Sequence, residues 1–345
     1  MSKQSKTEIN IKKTEKLRHV LESLPPFTLE FFRGIEPNTL LLTRINYAYD
    51  LRLFFTYLEN ELGKNTVAMQ STDLNALTLT DIERFLEYVR LYYKDDNAIE
   101  NGERGVARKL STLRAFFKYY YNKEVLINNV TTRLKTPKIH EKPILRLDQD
   151  EAVRLLYIID TGDGLTDKQL DFHNRTRLRD LAIFTLFLTT GIRISELSAL
   201  DVSDIDLARR SFKVLRKGGN EALLYFSEQT ADALGKYLEE RRAAANYSLN
   251  SPMFLSLQNK RMSVRALQML VQKYARLAIP LKNISPHKLR STYGTLLYQQ
   301  TGDIYLVADV LGHKDVNTTR KHYAAIDESR RKMASDAVVF KRDDD

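Results

Sequence analysis

None of the 345 residues is a cysteine. That excludes a disulfide framework, a thiolate metal site and a cysteine nucleophile. The chain also lacks any apolar run long enough to cross a bilayer. Its first twenty residues, MSKQSKTEINIKKTEKLRHV, lack the apolar stretch of a secretory signal. There is no internal repeat and no low-complexity tract. These absences make a cytoplasmic protein with no membrane partner the plain expectation. What is present is a hydrophobic fraction of 43%, enough for proper cores, in a chain longer than one core usually organises. Two domains are expected. Acids are in the minority, with 54 Lys plus Arg against 44 Asp plus Glu and a formal net charge of +10. Such an excess suits a nucleic-acid binder, although alone it describes any basic soluble protein equally well.

Residues 39–58, TLLLTRINYAYDLRLFFTYL, place Leu41, Ile45, Ala48, Leu51, Phe55 and Leu58 at helical intervals. A second helix is expected from Thr80, with Glu83 completing a capping box, and through FLEYVRLYY. The polar stretch KDDNAIENGERG then breaks the pattern. A third helix follows from about Val106. Its apolar face is Leu110, Leu113 and Phe117, while Arg104, Arg108, Lys109, Arg114 and Lys118 are available elsewhere for phosphate contact. Residues 135–147, KTPKIHEKPILRL, carry two prolines and four basic residues and no amphipathic period. They place a basic linker at 137–147, with Lys138 as a further phosphate candidate. The linker separates a helical domain over 1–136, including a short N-terminal extension over 1–35, from a second domain over 148–345 with its C-terminal tail.

In the second domain Asp148 and Glu151 cap a helix. LRDLAIFTLFLTT is apolar nearly all round, hence buried, and Gly191 ends it. SFKVLRK, then GG, then NEALLYF reads as two short strands and a tight turn. Helices resume at Glu228 and dominate to the end.

Three stretches carry chemistry. In TTGIRISELSAL, Arg193 lies at a helix junction where it can reach an anion, and Glu196 can orient its guanidinium. Alone, this reads as well as an ordinary surface pair. In ISPHKLRSTYGTLL, Ser285 and Pro286 start a helix that carries His287 and Arg290 in its first turn. Cations are awkward at a helix N-terminus, and an anion between them would relieve that; a capping His and an exposed Arg are the alternative. In GDIYLVADVLGHKDVNTTRKHYAA, a short helix from Asp303 ends at Gly312, so His313 emerges just past it. Thr318 or Thr319 can cap a following helix that carries Tyr323 among polar and small residues, unlike a packed aromatic. No neighbouring His, Asp or Glu gives His313 a metal-ligand spacing. Two Arg, two His, a Glu and a Tyr can bind one phosphodiester and attack it. Lys217, at the turn in LRKGGN, is a candidate acid for the leaving oxygen.

Residues 145–325 resemble the catalytic domain of the tyrosine recombinases, the phage-type integrase family that includes Xer-like and transposon integrases. TGIRISEL resembles the first Arg motif, RKGGN the Lys-bearing turn, HKLRST the His-x-x-Arg motif and LGH the following His. The resemblance implies catalytic roles for Arg193, Lys217, His287, Arg290 and His313, with Glu196 in support and Tyr323 as nucleophile. It implies a mainly α fold, in which a helical core-binding domain precedes a mostly helical catalytic domain with a small antiparallel β-sheet. The implied activity is site-specific DNA cutting and rejoining through a 3′-phosphotyrosyl link, without metal, ATP or cofactor. The implied partners are a double-stranded recombination site, three further copies on two duplexes, and accessory proteins; on DNA the protein would be nucleoid-associated. Type IB topoisomerase-like nicking and closing, or a silent DNA-binding accessory role, are the alternatives.

Overall fold

A computed structural model describes residues 3–140, 145–216, 219–243, 247–313 and 316. The chain divides into two compact units, Ser2–Lys142 and Pro143–Asp345.

The first unit is built on five helices, α1 (Lys3–Leu21), α2 (Thr28–Ile35), α3 (Leu41–Leu62), α4 (Leu79–Tyr88) and α5 (Glu103–Asn122). Its core is unusually aromatic: Phe31, Phe54, Phe85 and Phe116 are all fully buried and meet mostly edge to face, as ring quadrupoles prefer. Residues 1–35, expected as an extension, instead contribute Leu17, Val20, Leu24, Phe31 and Phe32 to this core. The capping box of α4 lies two residues earlier than expected. Thr78 Oγ1 accepts from the Asp81 backbone N–H, and the Asp81 carboxylate accepts from that of Thr78.

Beyond Tyr88 the helix expected through LYY gives way to an antiparallel hairpin, β1 (Leu91–Lys94) and β2 (Asn97–Glu100). Asp95 and Asp96 both take left-handed φ, 49° and 59°, as a two-residue hairpin turn that matches strand twist requires. Stacking of Tyr92 on Tyr88, with centroids 5.8 Å apart, fixes the hairpin to the end of α4.

The second unit holds α6 (Gln149–Thr161), α7 (Asp167–Asn174), α8 (Arg177–Thr190) and α9 (Ile194–Ala199). A three-stranded antiparallel sheet follows, β3 (Ile205–Asp206), β4 (Ser211–Leu215) and β5 (Glu221–Tyr225), in the order β3-β4-β5. Then come α10 (Glu228–Arg242), α11 (Val264–Ala278), α12 (Pro286–Thr301) and α13 (Ile304–Leu311). α8 is the central post, packed by α6, α10 and α12. Ala182, Ile183, Phe184, Leu186 and Phe187 are all inaccessible to solvent, which explains its apolar circumference. Each such large side chain contributes about 1.5–3 kcal/mol on burial. Leu147 joins this core, and its N–H donates to Thr292 Oγ1 at 2.9 Å, so chain entry is fixed against α12.

Candidate active site

α8 stops at Gly191, whose φ of 59° is the left-handed conformation that ends helices. A Cβ there would also meet the Tyr293 ring at 2.5 Å, so a side chain at this position would have to displace that ring. Two residues on, Arg193 occupies the N-cap of α9. Glu196, with its side chain 5% exposed, uses both carboxylate oxygens on it: one accepts from the Arg193 backbone N–H at 3.0 Å, the other from Nη1 at 2.8 Å. The expected pair is thus a buried carboxylate fixing a guanidinium that stays 31% exposed on its side chain.

Arg290 lies in α12 and is only 6% exposed. It donates through Nη1 to the Gly191 carbonyl and through Nη2 to the Leu311 carbonyl. His287, one turn earlier, is exposed. α13 ends at Gly312 with φ 60°, and the His313 N–H closes back on the Ala308 carbonyl at 2.9 Å. His313 is half-buried just beyond.

The end of α13 organises the site. Helices leave their last carbonyls without intrahelical partners, and the macrodipole makes that end negative. Here arginines from three other elements donate to carbonyls of that end. Arg216, following β4, donates to the Asp309 carbonyl at 3.2 Å and the Val310 carbonyl at 2.9 Å. Arg290 takes Leu311, and Arg193 Nη2 takes Gly312 at 2.9 Å. The φ of 60° favours glycine at 312, and a Cβ there would also overlap the Arg216 guanidinium. Burial pushes the nearby Tyr293 phenol above its ordinary value, so it stays protonated.

Arg193, Glu196, Arg290 and His313 are therefore brought together by direct contacts or chain adjacency, and His287 lies in α12 one turn before Arg290. Lys217 and Tyr323, with the expected cap at Thr318 or Thr319, lie outside the described residues. Arg216 was not singled out from the sequence. Its one signal was adjacency to Lys217, and nothing in the chain says that this hairpin meets a helix end 93 residues later. Among the described residues no three His, Asp or Glu side chains gather as a metal site.

The phosphate candidates divide. Arg104, Lys118 and Lys138 are exposed. Arg108 pairs with the buried Asp50 at 2.5 Å while remaining 49% exposed on its side chain. Arg114 is tied to the Leu134 carbonyl at 2.6 Å and Thr136 Oγ1 at 2.8 Å, bracing the segment after α5. Lys109 requires a correction. It is 4% exposed, and its Nζ donates to Asn101 Oδ1 at 2.8 Å. Burial pushes its pKa down, with Asp50 opposing the shift. Its ammonium braces the hairpin and does not face solvent.

Residues 145–330 match the phage integrase family. A tyrosine recombinase XerC of Caldanaerobacter subterraneus subsp. tengcongensis is 31% identical over 326 residues, covering 90% of this chain and 86% of the relative. A XerC of Thermodesulfovibrio yellowstonii is 34% identical over 219 residues, covering 62% of this chain and 69% of its own. Among solved structures, the post-cleavage complex of XerH with palindromic difH substrate aligns with a TM-score of 0.66 at 20% identity, over 86% of this chain and 80% of that one. The Tn1549 transposon integrase in complex with transposon right end DNA aligns at 0.64 and 17% identity, over 90% and 99%. At such identities the structures speak for the fold, while the sequence relatives and the family match speak for descent. The chain belongs to the phage integrase family, the tyrosine recombinases.

Proposed function

We propose that this protein is a site-specific DNA recombinase in which Tyr323 attacks a phosphodiester held by Arg193 and Arg290. The observation that carries the reading is the convergence of buried or oriented guanidiniums at the end of α13, next to His313. A carboxylate and helix carbonyls hold these cations in place before any anion arrives, which is the preorganisation that phosphoryl transfer needs. A bidentate guanidinium fits two non-bridging oxygens, and His287 and His313 add hydrogen-bond donors.

In the forward step the Tyr323 Oη–P bond forms and the P–O5′ bond breaks. The phenolic proton leaves to a basic neighbour, and the departing O5′ takes a proton from Lys217. The products are a 3′-phosphotyrosyl link and a free 5′ hydroxyl. Attack by the 5′ hydroxyl of a second strand reverses each change and restores a phosphodiester. The link keeps the bond energy, so exchange needs no ATP, and the side chains supply charge stabilisation without a metal. Four protomers on two duplexes, joined where needed by accessory proteins, complete the reading. The exposed Arg104 and Lys138 serve as phosphate contacts.

A nicked suicide substrate, from which the 5′ fragment diffuses away, tests the chemistry. The wild-type protein should accumulate a covalent adduct, while Tyr323→Phe should bind the same DNA with nearly unchanged affinity and form none. An adduct with Tyr323→Phe would assign the attack to another residue. Recombinant products on paired sites separate recombination from simple nicking and closing.

A further inference from the structure

Arg216 stands at the junction of β4 with the turn that carries Lys217. Its N–H donates to the Asn220 carbonyl at 2.8 Å and its own carbonyl accepts from the Gly219 N–H at 3.1 Å, so Arg216 closes the turn. Gly219 has a φ of 87°, which favours glycine there. One face of this hairpin is packed, with Phe212, Val214 and Leu224 buried, and the other is open, with Leu215 46% exposed and Leu223 50%. At the turn end the Arg216 guanidinium reaches two carbonyls of α13. The same helix end receives Arg290 at Leu311 and Arg193 at Gly312. A Cβ on Gly312 would overlap the Arg216 guanidinium and push it aside, and Arg216 Nε is buried there with no hydrogen-bond partner among the described residues.

We propose that Arg216 is a positioning residue for the reaction: it ties the turn that bears the proton donor to the helix end on which both phosphate-binding arginines are anchored. The inference rests on the reading of Lys217 as the acid. Proton donation needs the ammonium within hydrogen-bond reach of O5′ as the bond breaks. A long side chain on an untethered turn would meet that condition rarely. A displacement of about 1 Å can cost on the order of 10²-fold in rate. Two hydrogen bonds from one planar fork restrict both translation and rotation of the turn, which a single-point ammonium would not. Arg216 itself touches carbonyls and acts on the chemistry through its neighbour.

The test compares ordinary DNA with a substrate whose scissile phosphate has a 5′-bridging sulfur, a leaving group that needs no acid. Arg216→Met keeps much of the stem's packing and removes the donors. It should slow cleavage of ordinary DNA roughly 10- to 100-fold, with DNA affinity unchanged. On the sulfur substrate it should come within a few-fold of wild type. Arg216→Lys, which keeps one donor centre, should lie between.

Equal slowing on both substrates would mean that Arg216 serves the fold or the anion-binding arginines, and would overturn the proposal. So would a wild-type rate for Arg216→Met on ordinary DNA. Lys217→Ala is run in parallel to separate the two layers. If sulfur does not rescue it, the acid assignment fails; if sulfur rescues it and Arg216→Met behaves otherwise than stated, the positioning role alone fails.

Discussion

Arg290 donates to the carbonyl of Gly191, a residue 99 positions earlier in the chain, and so joins the start of α12 to the end of α8. Its other Nη donates to Leu311, which adds the end of α13 to the same junction. A guanidinium this buried is stable because helix carbonyls with no helical partner surround it. The cation is thus fixed by backbone that would otherwise lack donors. Arg193 and Arg216 follow the same logic at Gly312 and Val310, and Arg216 adds a second donor to the Asp309 carbonyl, which also accepts from the Gly312 N–H.

Glu196 should matter for rate more than for binding. Both its oxygens are engaged by Arg193, so Glu196→Gln leaves one acceptor and removes the charge. A charge-assisted hydrogen bond is worth about 1.5–3 kcal/mol, which corresponds to roughly 10- to 100-fold in cleavage rate if all of it is felt in the transition state. Single-turnover cleavage and a filter-binding isotherm measure the two quantities. Because the defect lies in the guanidinium, a 5′-bridging sulfur should not rescue it.

The heaviest stability cost outside the site should fall at Asp180. This 1% exposed carboxylate accepts from Arg179 Nε and Nη2 at 2.8 and 2.7 Å, Thr176 Oγ1 at 3.1 Å and Tyr274 Oη at 3.0 Å. Burial first, and then the adjacent Asp180 charge, push the Tyr274 phenol far above its usual value. Asp180→Ala leaves the Arg179 cation without its counter-charge, with the Leu255 carbonyl as its remaining acceptor among the described residues, at a cost of about 3–5 kcal/mol. Tyr274→Phe removes one partner and should cost about 1–2 kcal/mol. Denaturant unfolding reads both, and an Asp180→Ala loss below that of Tyr274→Phe would contradict the network.

Exposed and buried basic residues should separate cleanly in DNA binding. Arg104→Glu and Lys138→Glu should weaken affinity for all sequences alike and lower the salt slope by about one for each phosphate no longer neutralised. Lys109→Met should leave affinity unchanged, because its ammonium is turned onto Asn101. Titrations at several salt concentrations give slope and affinity together. A Lys109→Met defect as large as that of Arg104→Glu would restore it to the phosphate-binding set.

The segment after the first unit's last helix should be released by acid. His140 donates its backbone N–H to Glu103 Oε2 at 2.9 Å, and its ring Nδ1 lies 2.7 Å from Oε1. The backbone bond is the main cause, with the ring bond next, of a Glu103 pKa held below its ordinary value. This pairing is therefore fully present above the usual glutamate range and disappears as pH falls through the lowered value. Glu103→Ala should speed tryptic cleavage after Lys138 at neutral pH. In the wild type the His140 amide resonance should shift with a midpoint below the glutamate norm.

The sequence by itself determined a good deal, because much of what it encodes is local. The buried α8 follows from its apolar circumference and Gly191, the capping box of α6 from Asp148 and Glu151, and the β4–β5 hairpin from its alternating residues and paired glycines. Arg193, Glu196, His287, Arg290 and His313 were legible through motif spacing, since Glu196 lies one turn from Arg193 and His313 one residue past a helix-ending glycine. The β1–β2 hairpin was missed because its turn is Asp95–Asp96, and LYY continues an apolar helical stripe until Tyr92 packs back on Tyr88. Lys109 was misplaced for a related reason. A helix period shows which residues share a face, but the hairpin and Asp50 that cover this one are set by the fold. Tertiary structure alone decided what the arginines hold. Carbonyl acceptors belong to the backbone and carry no residue-type signature, so no spacing could announce that Arg193, Arg216 and Arg290 end on one turn of α13.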